Sequence, residues 1–218
     1  MKTSIKKTFK RTLIASAALM GILASGGNAA SADTDSNVNK ILKDANGNPV
    51  VYGQDYYMEP YEYPGYNLEF TRIGDFDELG LGTTKKHSIK FRESASQAEY
   101  PESVDIKLND FQHNPDNSYL MSLGDEIWAA VGAGDYGGPS YRKKRTWVPT
   151  EPSVDMNPDL ATGNYYALKN PYEYKYRDWD NNVITFPPAF LSHNGLGKKL
   201  LPNTTMDSKA MWRFVPKQ

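Results

Sequence analysis

Ile41-Leu42-Lys43-Asp44-Ala45-Asn46-Gly47-Asn48-Pro49-Val50-Val51-Tyr52-Gly53-Gln54-Asp55-Tyr56-Tyr57-Met58 decides how the whole chain is read. An apolar pair leads into an Asn-Gly turn that Pro49 helps to close. Val50-Val51 then makes a short strand, Gly53 a second turn, and an aromatic strand follows whose backbone can pair back on the first. The composition of this opening is β rather than helical.

The order of Leu42, Asp44, Gly47, Asn48, Pro49, Gly53, Tyr56, Tyr57 and Met58, with Lys43 as a one-residue insertion, resembles the N-terminal signature of the soybean-type Kunitz inhibitors. The resemblance is confined to residues 41–58 and bears on fold more than on activity. It implies a β-trefoil. In that family an exposed loop late in the first internal unit commonly presents Arg or Lys to a trypsin-like protease, which places Arg92, Glu93, Ser94 and Val104 as the candidate inhibitory segment. The residues before Val104 lack the family's basic reactive position, so Arg92 can serve only with the loop differently placed, and the departure points away from a trypsin-like target and leaves another protease specificity open. Plant members usually carry two disulfides, whereas this chain has no cysteine and must close its core by packing alone.

Upstream, Lys2, Lys6, Lys7, Lys10 and Arg11 precede an apolar run that ends at Ala30-Ser31-Ala32, the pattern of a secretory signal peptide over residues 1–32. The expected product is secreted and extracellular, with residues 33–40 as a flexible leader and 41–218 as one domain. Residues 1–32 hold five cations and no carboxylate, so their removal takes the formal net charge from −1 to −6. Such a surface argues against nucleic acid or anionic lipid as the main partner. No later run is apolar and long enough for a membrane span. Nothing in the sequence calls for an oligomer, and a monomer is expected.

Beyond Tyr52, short apolar or aromatic runs alternate with Gly, Pro, Asn and Asp. Period-two patterning predicts strands at 66–73, 87–91, 104–108, 119–121, 127–131, 145–148, 165–168, 183–186 and 212–215. No helix is predicted beyond one turn at 94–99, and 74–86 and 92–101 read as surface insertions. The chain also repeats itself. Asp55-Tyr56-Tyr57 with Pro60-Tyr61-Glu62-Tyr63 recurs as Asn164-Tyr165-Tyr166 with Pro171-Tyr172-Glu173-Tyr174. Gly53 and Gly163 are spaced for two units of roughly 55 residues, and both glycines are expected at positive φ. A weaker middle copy at 124–129 predicts a long first unit and a short second one. The fold class is therefore all-β, a β-trefoil with three unequal units, with a two-sheet sandwich as the alternative.

Catalytic signals are missing. The chain has no Cys nucleophile, Gly-x-Ser-x-Gly elbow, P-loop or dinucleotide fingerprint, and His87, His113 and His193 stand apart. A non-enzymatic protein without cofactor or metal is expected. Asp75 with Asp77, and Asp178 with Asp180, have the spacing of turn caps as well as of an acid pair. Tyrosine is in excess, 15 in the chain, and clusters at 56–66 and 165–176. Neighbouring residues of a strand face opposite ways, so the clustered tyrosines cannot all be buried on one side and some are expected to be exposed. Exposed rings beside carboxylates and amides suit sugars, and Tyr63, Tyr174, Asp178, Trp179 and Asp180 form the candidate carbohydrate-binding set. The basic run Tyr141-Arg142-Lys143-Lys144-Arg145 reads as a solvated turn or as a docking patch for an acidic partner. The partner is expected to be an extracellular protease or, alternatively, a surface glycan.

Overall fold

The computed structural model describes residues 38–73, 76–82, 87–109, 118–130 and 139–218; the stretch 1–32 expected to be a signal peptide, Asp75 and His113 lie outside them. The opening hairpin pairs β1 (Val38–Lys43) with β2 (Pro49–Val51). Asp44 is the clamp of its turn. Its buried Oδ1 accepts hydrogen bonds from the amides of Asn46 at 2.8 Å and Asn48 at 3.0 Å, while Gly47 takes φ +84°. The strand begins inside the expected leader, because Asn39 is buried. Its Oδ1 accepts from the amides of Ile41 and Leu42, and its Nδ2 donates to Tyr52.

The aromatic strand β3 (Asp55–Pro60) does not pair back on this hairpin as expected. It enters a ring with β6 (Ile89–Glu93), β7 (Val104–Leu108), β10 (Thr146–Thr150), β11 (Tyr166–Asn170) and β16 (Met211–Pro216). The antiparallel pairs run β3 with β6, β6 with β7, β7 with β10, β10 with β11, β11 with β16, and β16 back to β3. Six strands thus close on themselves, and a closed sheet has no edges to protect.

Between the barrel strands of each third lies a hairpin: β4 (Asn67–Ile73) with β5 (Phe76–Gly82), β8 (Tyr119–Ser122) with β9 (Ile127–Ala130), and β14 (Ala189–Ser192) with β15 (Leu201–Asn203). Strand register makes the threefold relation explicit. Tyr56 faces Ile89, Val104 faces Trp147, and Tyr166 faces Trp212. All six side chains are buried, as are Leu68, Leu120 and Leu191, one from the hairpin of each unit. Trp147 donates its indole N–H to the Leu120 carbonyl and Trp212 to that of Leu191, each at 3.0 Å. The same bond is thereby made twice by equivalent residues, while Ile89 fills the third place without a donor.

Several expectations are corrected here. The middle repeat begins at Val104, not at Gly124, which sits in the β8–β9 turn, and the second and third units are longer than the first. Residues 76–82 form a strand rather than an inserted loop. Leu79 and Leu81 alternate inward, and Gly80 has no room for a Cβ, which would lie 2.7 Å from the Lys198 carbonyl. Two short helices escaped detection, α1 (Pro139–Arg145) and α2 (Pro158–Thr162), because neither carries a long apolar stripe. Gly53 does take φ +82°, but Gly163 has φ −84° and the positive φ falls on Asn164. What Gly163 supplies is space, since a Cβ there would lie 2.7 Å from the Tyr165 ring and 2.8 Å from the Asp159 carbonyl.

Candidate functional site

The segment that joins the first unit to the second is held inward. Arg92 and Glu93 belong to β6 and pair with Asp105 and Val104, so they form part of a strand rather than a projecting loop. Val104 is fully buried and Ser94 nearly so. Ser94 Oγ lies 3.1 Å and Ser96 Oγ 2.9 Å from Thr146 Oγ1, Gln97 Nε2 donates to the Ser103 carbonyl at 3.1 Å, and the amides of Gln97, Glu99 and Tyr100 bond back into the same turn. Tyr172 closes it from above, donating its phenol to Glu99 at 3.0 Å and packing edge-on to Tyr100. Ser94 and Val104 are accordingly scaffold residues. Arg92 keeps an exposed side chain whose guanidinium reaches Tyr119 Oη.

Beneath this loop sits a buried ion pair. Asp105 Oδ2 is 2.6 Å from Arg145 Nε, and the guanidinium covers the Tyr119 ring at 4.8 Å. Burial pushes the Asp105 carboxyl up to about 6, and the opposing pull of Arg145, Ser94 and Arg92 does not cancel it.

The outward feature is a two-stranded hairpin, β12 (Tyr174–Arg177) with β13 (Val183–Phe186), inserted into the third unit and standing outside the barrel sheet. Tyr172, Tyr174 and Tyr176 are two residues apart and so lie on one side of β12, not on opposite faces as expected, and their burial falls stepwise along it. Tyr172 just before it is buried, Tyr174 is half-buried with its phenol donated to Asn170 Oδ1 at 3.0 Å, and Tyr176 is exposed. Burial pushes the Tyr174 phenol above its usual range. Tyr176 stacks on Phe186 across the hairpin at 5.7 Å and 15°, and Phe186 in turn covers Gly124, where a Cβ would lie 2.6 Å from its ring.

At the tip, Asp178 is a turn clamp and not half of an acid pair. Its Oδ1 accepts from the amides of Asp180 at 3.0 Å and Asn182 at 2.8 Å, its Oδ2 accepts from Asn182 Nδ2, and these bonds, those of Asn182 foremost, hold its carboxyl below the usual range. Asn181 takes φ +64°, and Arg177 Nη1 donates to its carbonyl. The turn lifts Trp179 into full exposure, with Asp180 exposed beside it. Of the sequence-predicted sugar set, Tyr174, Asp178, Trp179 and Asp180 therefore share one hairpin. Tyr63 lies elsewhere, its ring packed against His193 and Tyr66. The sequence carried no signal for Asn170, which anchors the base, nor for Tyr176 as the exposed tyrosine. A small cleft of about 120 Å³ lies apart from the hairpin, lined by Glu151, Pro152, Ala161, Tyr165 and Tyr166.

Known structures share this architecture. The potato Kunitz-type cysteine protease inhibitor PCPI-3 aligns with TM-score 0.53 at 12% identity, over 83% of this chain and 98% of its own. The chain is a β-trefoil. It also aligns with the binding domain of botulinum neurotoxin serotype D, at TM-score 0.54 and 8% identity over 84% of this chain and 46% of that one. The lysenin pore aligns at TM-score 0.50 and 11% identity over 78% and 48%. The sequence matches no protein-family model and no curated protein. At such identities the likeness is one of fold, and this trefoil's function has to be read from its own surface.

Proposed function

We propose that this β-trefoil is a secreted, non-enzymatic binding protein that holds a glycan at the tip of the β12–β13 hairpin. The observation that carries the reading is Trp179, fully exposed on a turn pinned by three hydrogen bonds to one carboxylate. An indole in water is costly unless a partner covers it, and a pinned turn presents it with little ordering left to lose on binding. Sugar rings offer C–H faces to an indole and hydroxyls to the Asp180, Asn181 and Asn182 groups around it. Inhibition of an extracellular protease is the second reading, supported by the exposed Arg92 side chain and by the stiffness of the coiled 94–103 segment. The experiment is a glycan screen of the mature protein with its Trp179→Ala variant, run beside a serine and cysteine protease panel with Arg92→Ala. Retention on glycans lost with Trp179 supports the first reading. Stoichiometric protease inhibition lost with Arg92, without glycan retention, replaces it with the second.

A further inference from the structure

Asn170, the last residue of β11, is buried and uses both ends of its amide. Its Nδ2 donates to the carbonyls of Lys143 at 3.0 Å, Lys144 at 3.2 Å and Thr146 at 3.1 Å, which caps the C-terminus of α1. Its Oδ1 accepts the Tyr172 amide at 3.2 Å and the Tyr174 phenol at 3.0 Å, which sets the base of the hairpin. One side chain thus ties the basic helix to the aromatic hairpin, and Lys143 Nζ completes the contact 4.9 Å above the Tyr172 ring.

The helix has no acidic residue in its first turn, and Tyr141, Arg142 and Lys143 are exposed. On the hairpin, Lys175 is neutralised by Glu173 at 2.8 Å, the Asp178 carboxylate is consumed by its turn, Asp180 is the exposed carboxylate beside Trp179, and Arg177 bonds to the backbone and side-chain oxygens of Asn181. Among the described residues no carboxylate pairs with Arg142, Lys143 or Arg177. These cations give the helix and hairpin a local positive charge on a chain of net negative charge, which attracts anionic groups. At about 3.3 Å per strand residue, the run from the hairpin base to Trp179 covers about 15 Å, which suits an extended chain rather than a single sugar.

We infer that α1 and the hairpin form one face for an anionic glycan, an oligosaccharide bearing sulfate or carboxylate groups. Arg142, Lys143 and Arg177 take the anionic groups, Trp179 stacks on a ring, and Asn170 is the positioning residue that keeps helix and hairpin in register. The inference rests on the glycan reading of the hairpin and adds the class of glycan.

The test is calorimetric titration of the mature chain with sulfated and uronate oligosaccharides, neutral oligosaccharides of equal length, and phosphatidylserine vesicles. The expected result is binding of the anionic oligosaccharides that weakens as salt is raised. It should fall about tenfold in the exposed double variant Arg142→Ala/Lys143→Ala and be lost in Trp179→Ala. Asn170→Asp, which retains the acceptor oxygen and loses the donors to the helix, should weaken anionic binding while leaving the unfolding midpoint of the barrel transition measurable. Neutral oligosaccharides bound equally well, insensitive to salt and to the double variant, overturn the anionic class and leave the hairpin reading standing. Binding to the vesicles alone, or to no oligosaccharide, overturns both.

Discussion

Gly53 and Gly163 occupy equivalent places in the repeated motif, yet the fold asks different things of them. Gly53 needs a positive φ and has open space around it, so Gly53→Asn should cost little, because Asn tolerates the left-handed region. Gly163 has an ordinary φ and no space, so Gly163→Ala should destabilise by about 1–3 kcal/mol through overpacking against Tyr165 and Asp159. Denaturant midpoints of the two variants check the contrast. Asp105 makes the second residue-scale case. Its carboxyl is raised by burial to about 6, so the folded state holds the proton more tightly than the unfolded state does. Its contribution to stability is full below about pH 4 and is withdrawn as pH rises through 6. Asp105→Asn mimics the protonated form. It should flatten the pH dependence of stability between about 4 and 7, since no carboxyl is left there to ionise, while removing the counter-charge of the buried Arg145. A steeper dependence in the variant would count against this account.

The elements divide into those that close the barrel and those that stand outside it. The β12–β13 hairpin pairs only within itself, and most of its residues are exposed. Replacing residues 176–184 with a short Asn-Gly turn should therefore shift the thermal midpoint by only a few degrees while removing the Trp179 surface. Phe186 is left in place in that variant because it covers Gly124. The 94–103 segment behaves oppositely. Thr146→Val removes the hydroxyl shared by Ser94 and Ser96 and should raise amide exchange across that segment with little change in β3 or β16. Uniform exchange before and after the substitution would show that Thr146 does not hold it.

At the scale of the whole molecule, three units contribute matched residues to one core, but their chemistry is not identical. Trp147 and Trp212 satisfy the carbonyls of Leu120 and Leu191, so Trp147→Phe and Trp212→Phe should each lose about 1–3 kcal/mol, from the same missing donor and a smaller ring. Ile89→Val at the third equivalent position removes one methyl and no hydrogen bond, and should cost about 1 kcal/mol. Chemical denaturation of the three variants measures the asymmetry of the pseudo-threefold directly.

The repeat that the residue order offered is off by one residue, since Tyr166 takes the place of Tyr56 and not of Tyr57, whereas the residue order by itself determined the β class, the Asp44–Pro49 turn, and the inward alternation of Ile89 with Phe91 and of Trp212 with Phe214. These are local properties: period-two patterning and turn chemistry act over a few residues and are legible without knowing what they pack against. Tertiary structure decided the rest. Ring closure joined β3 to β16 across most of the chain, and Gly-diluted β5 became a strand only because β4 and β9 pair with it. The 94–103 segment turned inward because Thr146, distant in sequence, offers its hydroxyl. The same holds for the surface. Sequence named Trp179 and could say that some tyrosine rings must face water, but only the placement of Asn170 under the hairpin selected Tyr176 among the tyrosines, since exposure depends on which neighbours long-range pairing brings to each residue.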